Sequence, residues 1–495
     1  MPRFGFAIDN RACIGCHACT VACKSEHLVP LGVNRTWVKY IEKGVFPNTR
    51  RHFSVQRCNH CADAPCVTIC PVTSLYQRPD GIVDFDSSRC IGCKACMQAC
   101  PYDALYLDPD TNTAAKCNYC THRVDSGYEP ACVIVCPVEA IVSGDLDDPT
   151  SRIAQLDRLQ KVQYPKVEKG TRPKLFYVGG ETAALDPAAA PPAAHYLWSG
   201  NDGRITDGAL RRASEESDGE ARARRVYDPQ SKPAPWGWMV SAYITTKAVA
   251  TGVVLVAVAA FAVGWSPAVL PTSLAGLSLL VLAMTGALLV GDLKQPRRFL
   301  YVLLRPQWKS WLVRGAYLIL VFSLLVPVCW FLSVLGAPRG VQLAVGALTG
   351  AAAVCVAAYT ALLLAQAKGR DYWQNPLLVV TMVVDAGVAG LALMTILNLA
   401  HSRAGLVTGA IVIGLLLAAE FLPVHQTRNA ELASRLITRG ALRVWFWFGV
   451  VGLGLAGPLL ASAFGALRVT GAMLLLGIAA KNHVLVQAPQ RVPLS

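Results

Sequence analysis

The chain has 495 residues, 53% hydrophobic and 16% charged, with a formal net charge of +14. That length exceeds one ordinary domain, and that apolarity argues against a wholly soluble protein. A basic excess can serve nucleic acid, an acidic lipid surface or an acidic partner, but no basic patch stands clear of the membrane-flanking positions, so no nucleic acid is expected.

The opening, MPRFGFAIDN, has no apolar h-region and no twin arginine, so no export signal is expected. Of eighteen cysteines, sixteen lie between Cys13 and Cys136. Grouped cysteines without an export signal favour metal over disulfides. They form four related motifs. CIGCHACTVACK holds Cys13, Cys16, Cys19 and Cys23; RCNHCADAPCVTICP holds Cys58, Cys61, Cys66 and Cys70. CIGCKACMQACP holds Cys90, Cys93, Cys96 and Cys100; CNYCTHRVDSGYEPACVIVCP holds Cys117, Cys120, Cys132 and Cys136. Three closely spaced thiolates can wrap one face of an iron–sulfur cube, and a fourth followed by proline ligates a different cluster in two-cluster ferredoxins. Pro71, Pro101 and Pro137 supply that proline in three motifs; Lys24 stands there in the first. Zinc knuckles use two-plus-two cysteines instead. The spacing therefore predicts four 4Fe–4S clusters on all sixteen cysteines.

Beyond residue 180, LDPAAAPPAAHYL and RRASEESDGEARARR read as a Pro/Ala-rich and charged linker over 181–235. Eight apolar runs follow, near 237–263, 270–291, 312–335, 341–366, 377–399, 404–423, 444–463 and 469–485. Each approaches the roughly 20 residues that cross a bilayer. The linker-side loops contain Lys294, Arg297, Arg298, Arg305, Lys309, Lys368, Arg370, Arg428, Arg435, Arg439 and Arg443, against Arg339, Arg403 and Arg468 on the far side. Under the positive-inside rule this puts the cysteine-rich part on the cytoplasmic side of a multi-pass inner-membrane protein. The expected fold is an α+β ferredoxin-like iron–sulfur domain (1–180), the linker, and an all-α transmembrane bundle of about eight helices (236–495).

A charge at mid-bilayer costs about 2.5–3.5 kcal/mol, so each one needs a reason. Asp385 lies nine residues past Pro376 and Lys247 eleven past Trp236, at similar depth, which allows them to pair. Asp292, Glu420, Lys481 and His483 fall near span ends, and Tyr243 precedes Lys247 by one turn. Tyr243, Lys247, Asp292, Asp385, Glu420 and His483 are the candidates for quinone binding or proton transfer; the plainer reading is a buried ion pair with snorkelling ends. Cys329 and Cys355 read as small core residues. His401, His425 and His483, the only histidines of the membrane half, all sit near span ends, so no haem is expected.

Residues 1–180 resemble the four-cluster ferredoxin subunits of molybdopterin oxidoreductases, the dimethyl sulfoxide and polysulfide reductase group. The likeness rests on CIGCHACTVACKSEHLVPLGVNRTWV, CNHCADAPC, DGIVDFDSSRCIGCKACMQACPYDA, KCNYCTHRV and GDLDDPTS. It implies that Cys13, Cys16, Cys19 and Cys136 hold one cluster, and Cys117, Cys120, Cys132 and Cys23 its neighbour. Cys58, Cys61, Cys66 and Cys100 would hold a third, and Cys90, Cys93, Cys96 and Cys70 a fourth. Residues from 236 to about 485 resemble the NrfD type of polysulfide reductase anchor, through PWGWMVSAYITTK, DLKQPRRFLYVLLRPQWKSWLVRGAY and AYTALLLAQAKGRDYWQNPLL. That resemblance implies a quinone (menaquinone or ubiquinone) as exchangeable substrate. It also implies a hetero-oligomeric complex with a large catalytic subunit carrying the molybdenum or tungsten pterin. The chain would then be the electron-transfer and membrane-anchor subunit, not itself catalytic towards the primary substrate. A ferredoxin–quinone shuttle without a dedicated catalytic subunit, and a redox-driven ion-translocating module, are the rival readings.

Overall fold

The computed structural model describes residues 2–44, 47–187, 189–190, 223–228, 234–423 and 425–495. Its contacts group Met1–Thr68, Ser74–Pro233 and Pro493–Ser495 into one unit, and Ile69–Thr73 with Ala234–Val492 into a second.

The first unit is built on short strands: β1 (Phe4–Asp9), β2 (Thr36–Lys43), β3 (Arg50–Arg57), β4 (Leu75–Gln77), β5 (Val83–Phe85), β6 (Leu105–Leu107), β7 (Ala114–Lys116), β8 (Ile141–Asp145), β9 (Val162–Gln163), β10 (Leu175–Val178) and β11 (Arg224–Tyr227). β1 is central to a four-stranded sheet, antiparallel to β8 and parallel to β10. Its near-continuous apolar run FGFAID suits a strand covered on both faces. Ala7, Val142, Ile153, Phe176 and Val178 form a core there. β11, β2 and β3 make a second sheet, and β4–β5 and β6–β7 are two-stranded hairpins. β11 lies inside the stretch that reads as linker; residues 188, 191–222 and 229–233 of that stretch lie outside the described residues.

Each cysteine motif closes on a short helix: α1 (Ala18–His27), α2 (Pro65–Ile69), α3 (Ala95–Ala99) and, after α4 (Thr121–Val124), α5 (Ala131–Ile134). In every motif the last two cysteines are four residues apart across that helix, about one turn, and so near one face. The loops entering α1 and α3 have the same backbone. Gly15 and Gly92 both take φ 69°, and His17 and Lys94 take 62° and 63°. Left-handed residues at these places turn successive N–H groups to one side, making a concavity suited to anionic sulfur.

In the second unit, eight helices among the described residues are long and apolar enough to cross a membrane: Trp238–Ala262, Thr272–Gly291, Trp311–Val334, Arg339–Gln366, Leu377–Ile396, Arg403–Phe421, Trp445–Ala463 and Leu467–Gln490. The first and fifth cross at bare backbone. A Cβ on Gly252 would lie 1.8 Å from the Ala386 carbonyl oxygen, so small residues are what permit the approach. The third and sixth spans expose Leu320, Leu324, Val328, Ile411 and Leu415, as lipid-facing helices do. The seventh runs as a π-helix over Trp445–Ala456 before resuming as α-helix.

Two expectations change. The last helix extends to Gln490, so Lys481 and His483 lie within it rather than near its end. Its polar residues belong to the packing: Gln487 and Gln490 donate to the Trp236 carbonyl oxygen at 2.9 and 3.0 Å. Cys329 is buried in the apolar core, but Cys355 is exposed.

Candidate functional site

Cys13, Cys16, Cys19 and Cys136 line one cavity of about 320 Å³, together with Gly15 and His17. Cys136 reaches it from the far end of the motif region. The Cys23 thiol, one turn beyond Cys19 on α1, instead lies within electrostatic reach of Cys117, Cys132 and Cys120. Cys66 lies within reach of Cys100, Cys58 and Cys61. These groups adjoin one another. Cys19 faces Cys132, and Cys117 faces Cys58, so three thiol sets follow in series. Cys90, Cys93 and Cys96 lie on the loop and helix entering α3, and the buried Cys70 lies on Ile69–Thr73.

The donor chemistry fits a polynuclear centre. Burial pushes the thiols of Cys19, Cys100 and Cys120 up to about 11 and that of Cys117 to about 12, so bare thiolates are disfavoured without iron to neutralise them. A zinc site needs Zn–S bonds of about 2.3 Å, whereas a cube spreads its four thiolates around itself. N–H groups also point at the sulfurs. Ala140 donates to Cys136 Sγ at 3.2 Å, and Gly92 and Ala114 each donate to Cys90 Sγ at 3.4 Å. Such bonds tune a cluster's potential. His60 Nδ1 accepts from the Val83 N–H at 3.2 Å, which leaves the proton on Nε2, 3.7 Å from Cys117 Sγ. Burial and the cations Lys116 and Lys174 hold that imidazole neutral.

The membrane unit contains a cavity of about 410 Å³ lined by Tyr372, Asp385, Glu420, Lys481 and Asn482 amid Met382, Leu417, Phe446 and Val450. Phe446 and Val450 come from the π-helical stretch, where such turns often serve sites. Lys481 Nζ donates to Asp385 Oδ1 at 2.6 Å. Asp385 therefore pairs with Lys481, not with Lys247. Lys247 Nζ donates to the Ala357 carbonyl oxygen at 3.1 Å and to the Thr360 hydroxyl, and sits 4.4 Å from the Tyr359 ring centre. The fourth span satisfies Lys247 with backbone, hydroxyl and ring, so it needs no carboxylate.

Of the six sequence candidates, this cavity brings together Asp385 and Glu420. Tyr243 is buried one turn before Lys247, away from the cavity lining. Asp292 caps the second span, and the His483 ring lies 4.6 Å from that of Trp445. Tyr372 and Asn482 also line the cavity and were not sequence candidates. Their signals are the polar stretches GRDYWQN and KNH beside apolar runs, which read as span ends.

Residues 12–75 and 49–146 match 4Fe-4S dicluster domains, and residues 228–488 match the family described as polysulphide reductase, NrfD. The protein belongs to the NrfD family. Ahead of its NrfD domain it is similar to iron–sulfur subunits. A tetrathionate reductase subunit from Salmonella typhimurium is 42% identical over 202 residues, 40% of this chain and 80% of that protein. A polysulfide reductase chain from Wolinella succinogenes is 40% identical over 187 residues, 37% of this chain and 98% of that protein. Protein NrfC of Escherichia coli K12 is 42% identical over 179 residues, 36% of this chain and 80% of that protein. The NrfD chain therefore fuses a 4Fe–4S electron-transfer domain to a multi-pass membrane domain in one polypeptide.

Proposed function

We propose that this chain passes electrons through four 4Fe–4S clusters between a catalytic partner subunit and the membrane quinone pool. The observation that carries the reading is one polypeptide joining thiol sets in series to a membrane domain with a cavity lined by Tyr372, Asp385, Glu420 and Lys481. The clusters would supply one-electron carriage, held by the sixteen cysteines in the four sets that the family resemblance implies. The chain's own groups do the rest. N–H donors and buried cations stabilise the anionic sulfur. The first set reaches the surface at the exposed Cys16; the exposed apolar side chains Ile14 and Val21 lie beside it, and Ile134 and Val135 precede Cys136. Exposed apolar groups of this kind suit the docking of a protein partner. Two of these relatives are named as parts of reductases, which supports a catalytic partner; a large molybdenum or tungsten pterin subunit is the proposed one.

In the membrane cavity, apolar walls from Met382, Leu417, Phe446 and Val450 suit a quinone ring. Lys481 Nζ, the Tyr372 hydroxyl and the Glu420 carboxyl can carry protons to or from its oxygens, while Asp385 orients Lys481. Quinone reduction takes two electrons and two protons, so both kinds of group are required. The loop charges favour a cytoplasmic iron–sulfur domain in an inner membrane.

Gentle purification with metal analysis tests the reading. Iron near sixteen atoms per chain, as four cubes require, with acid-labile sulfide and a large molybdenum- or tungsten-bearing partner is the expected result. Zinc without sulfide, or a chain that reduces no quinone analogue when its clusters are reduced, would end it.

A further inference from the structure

We propose that Arg57 sets the reduction potential of the second cluster, the one assigned to Cys117, Cys120, Cys132 and Cys23, by donating N–H groups to its sulfur. This rests on the cluster reading above. Arg57 ends β3, directly before Cys58, and is 1% exposed. Its Nη1 donates to Cys132 Sγ at 3.0 Å, and its guanidinium lies 4.6 Å from the Phe6 ring centre. Its Nε and Nη2 are buried and have no protein partner. Among the described residues no carboxylate pairs with it.

Other buried cations of the unit are satisfied differently. Lys116 Nζ donates to the carbonyl oxygens of Val83 and Cys117, and Lys174 Nζ to that of Gly81. Among these three, Arg57 is the one with side-chain nitrogens that have no hydrogen-bond partner. Arginine does not shed its proton in proteins, so its buried charge needs an anion. The groups facing it are the thiols of Cys132, Cys117 and Cys19. A thiolate-ligated cube at that point would accept from the two idle nitrogens, Nε and Nη2. Cys19 and Cys58 belong to the flanking sets, so the charge sits where three sets meet.

The sign follows from charge alone. Reduction adds one electron to an already anionic centre, breaks no bond and moves no proton, and Arg57 stays a guanidinium throughout. A fixed positive charge favours the reduced form, so Arg57 raises the potential of its cluster above the value that burial would otherwise leave. Its cluster becomes an easier station for electrons than its neighbours.

The test is an EPR-monitored redox titration of the full chain in its membrane complex. Arg57→Gln should weaken the reduction equilibrium of one cluster at least tenfold, which is 59 mV for a one-electron couple, with smaller movement in the others. Arg57→Lys should restore most of that shift, which a merely structural role would not do. Intact iron content with no midpoint moved by Arg57→Gln would overturn the proposal. Should that variant not assemble, wild-type protein labelled with 15N-arginine decides. Pulsed EPR of the reduced protein should show hyperfine coupling from guanidinium 15N in one cluster, and its absence would overturn the role. A wild-type chain without 4Fe–4S signals would refute the cluster reading itself, a separate outcome.

Discussion

Among the described residues, the cysteine-rich unit buries Lys39, Arg57, Lys94, Lys116, Lys174 and Arg225 but one carboxylate, Asp84. The membrane unit buries Lys247, Arg370, Asp385 and Lys481, and there the polypeptide itself supplies the partners. Lys481 has Asp385; Arg370 donates to the Pro489 and Val492 carbonyl oxygens at 2.9 and 2.7 Å; Lys247 has Ala357, Thr360 and the Tyr359 ring. The contrast teaches what each unit is folded around. In the first unit Lys39 and Arg225 face Asp228, and Lys116 and Lys174 face carbonyl oxygens, but Arg57 faces thiols, which suits an anionic inorganic group that the chain does not encode. In the membrane unit the four buried charges named have partners within the chain, and apolar packing and close helix crossings hold the spans together.

Removing iron should break the comparison most visibly. Because metal-site energy is folding energy, the chain stripped of iron should lose protease resistance in the cysteine-rich unit and keep it across the eight spans. Equal resistance of both units before and after stripping would mean that the first unit is self-sufficient after all.

Cys100→Ser comes next. It should remove or cripple the cluster assigned to Cys58, Cys61 and Cys66, losing roughly four irons or one EPR signal, rather than the one assigned to its own motif neighbours. Loss of the signal belonging to the Cys90, Cys93 and Cys96 set would redraw the pairing.

In the membrane unit, Asp385→Asn should lower quinone turnover about 100-fold while cluster spectra stay unchanged. Leaving Lys481 without its partner should also destabilise the unit by about 3–5 kcal/mol, and adding Lys481→Met should recover much of that stability but not the turnover. Wild-type turnover in the single variant would remove Asp385 from the site.

Gly252→Ala should cost about 1–3 kcal/mol by forcing the first and fifth spans apart, lowering the melting of the membrane unit alone. The smallest effect is expected at Cys355→Ala, within about 0.5 kcal/mol, because that side chain is exposed. A large change there would place it in an interface.

Much of this was legible beforehand because it is local. Cysteine spacing reports ligand geometry over a few residues, and hydropathy reports length against bilayer thickness. The eight spans and the dicluster motifs were therefore readable one segment at a time. Arg57 was not, since in VQRCNHC it reads as an ordinary charged strand end. Lys481 and His483 were read as lying near a span end, because polar residues in an apolar run look like an exit to water unless a neighbouring span is known to meet them.

By itself, then, the amino-acid text determined the division into a metal-binding half and a membrane half, since each signature is complete within a short window. Only the tertiary structure decided that Asp385 meets Lys481, 96 residues away, and that a guanidinium lies buried among thiols from separate motifs. Pairings across such distances depend on which helices and strands pack together, and no local period encodes that.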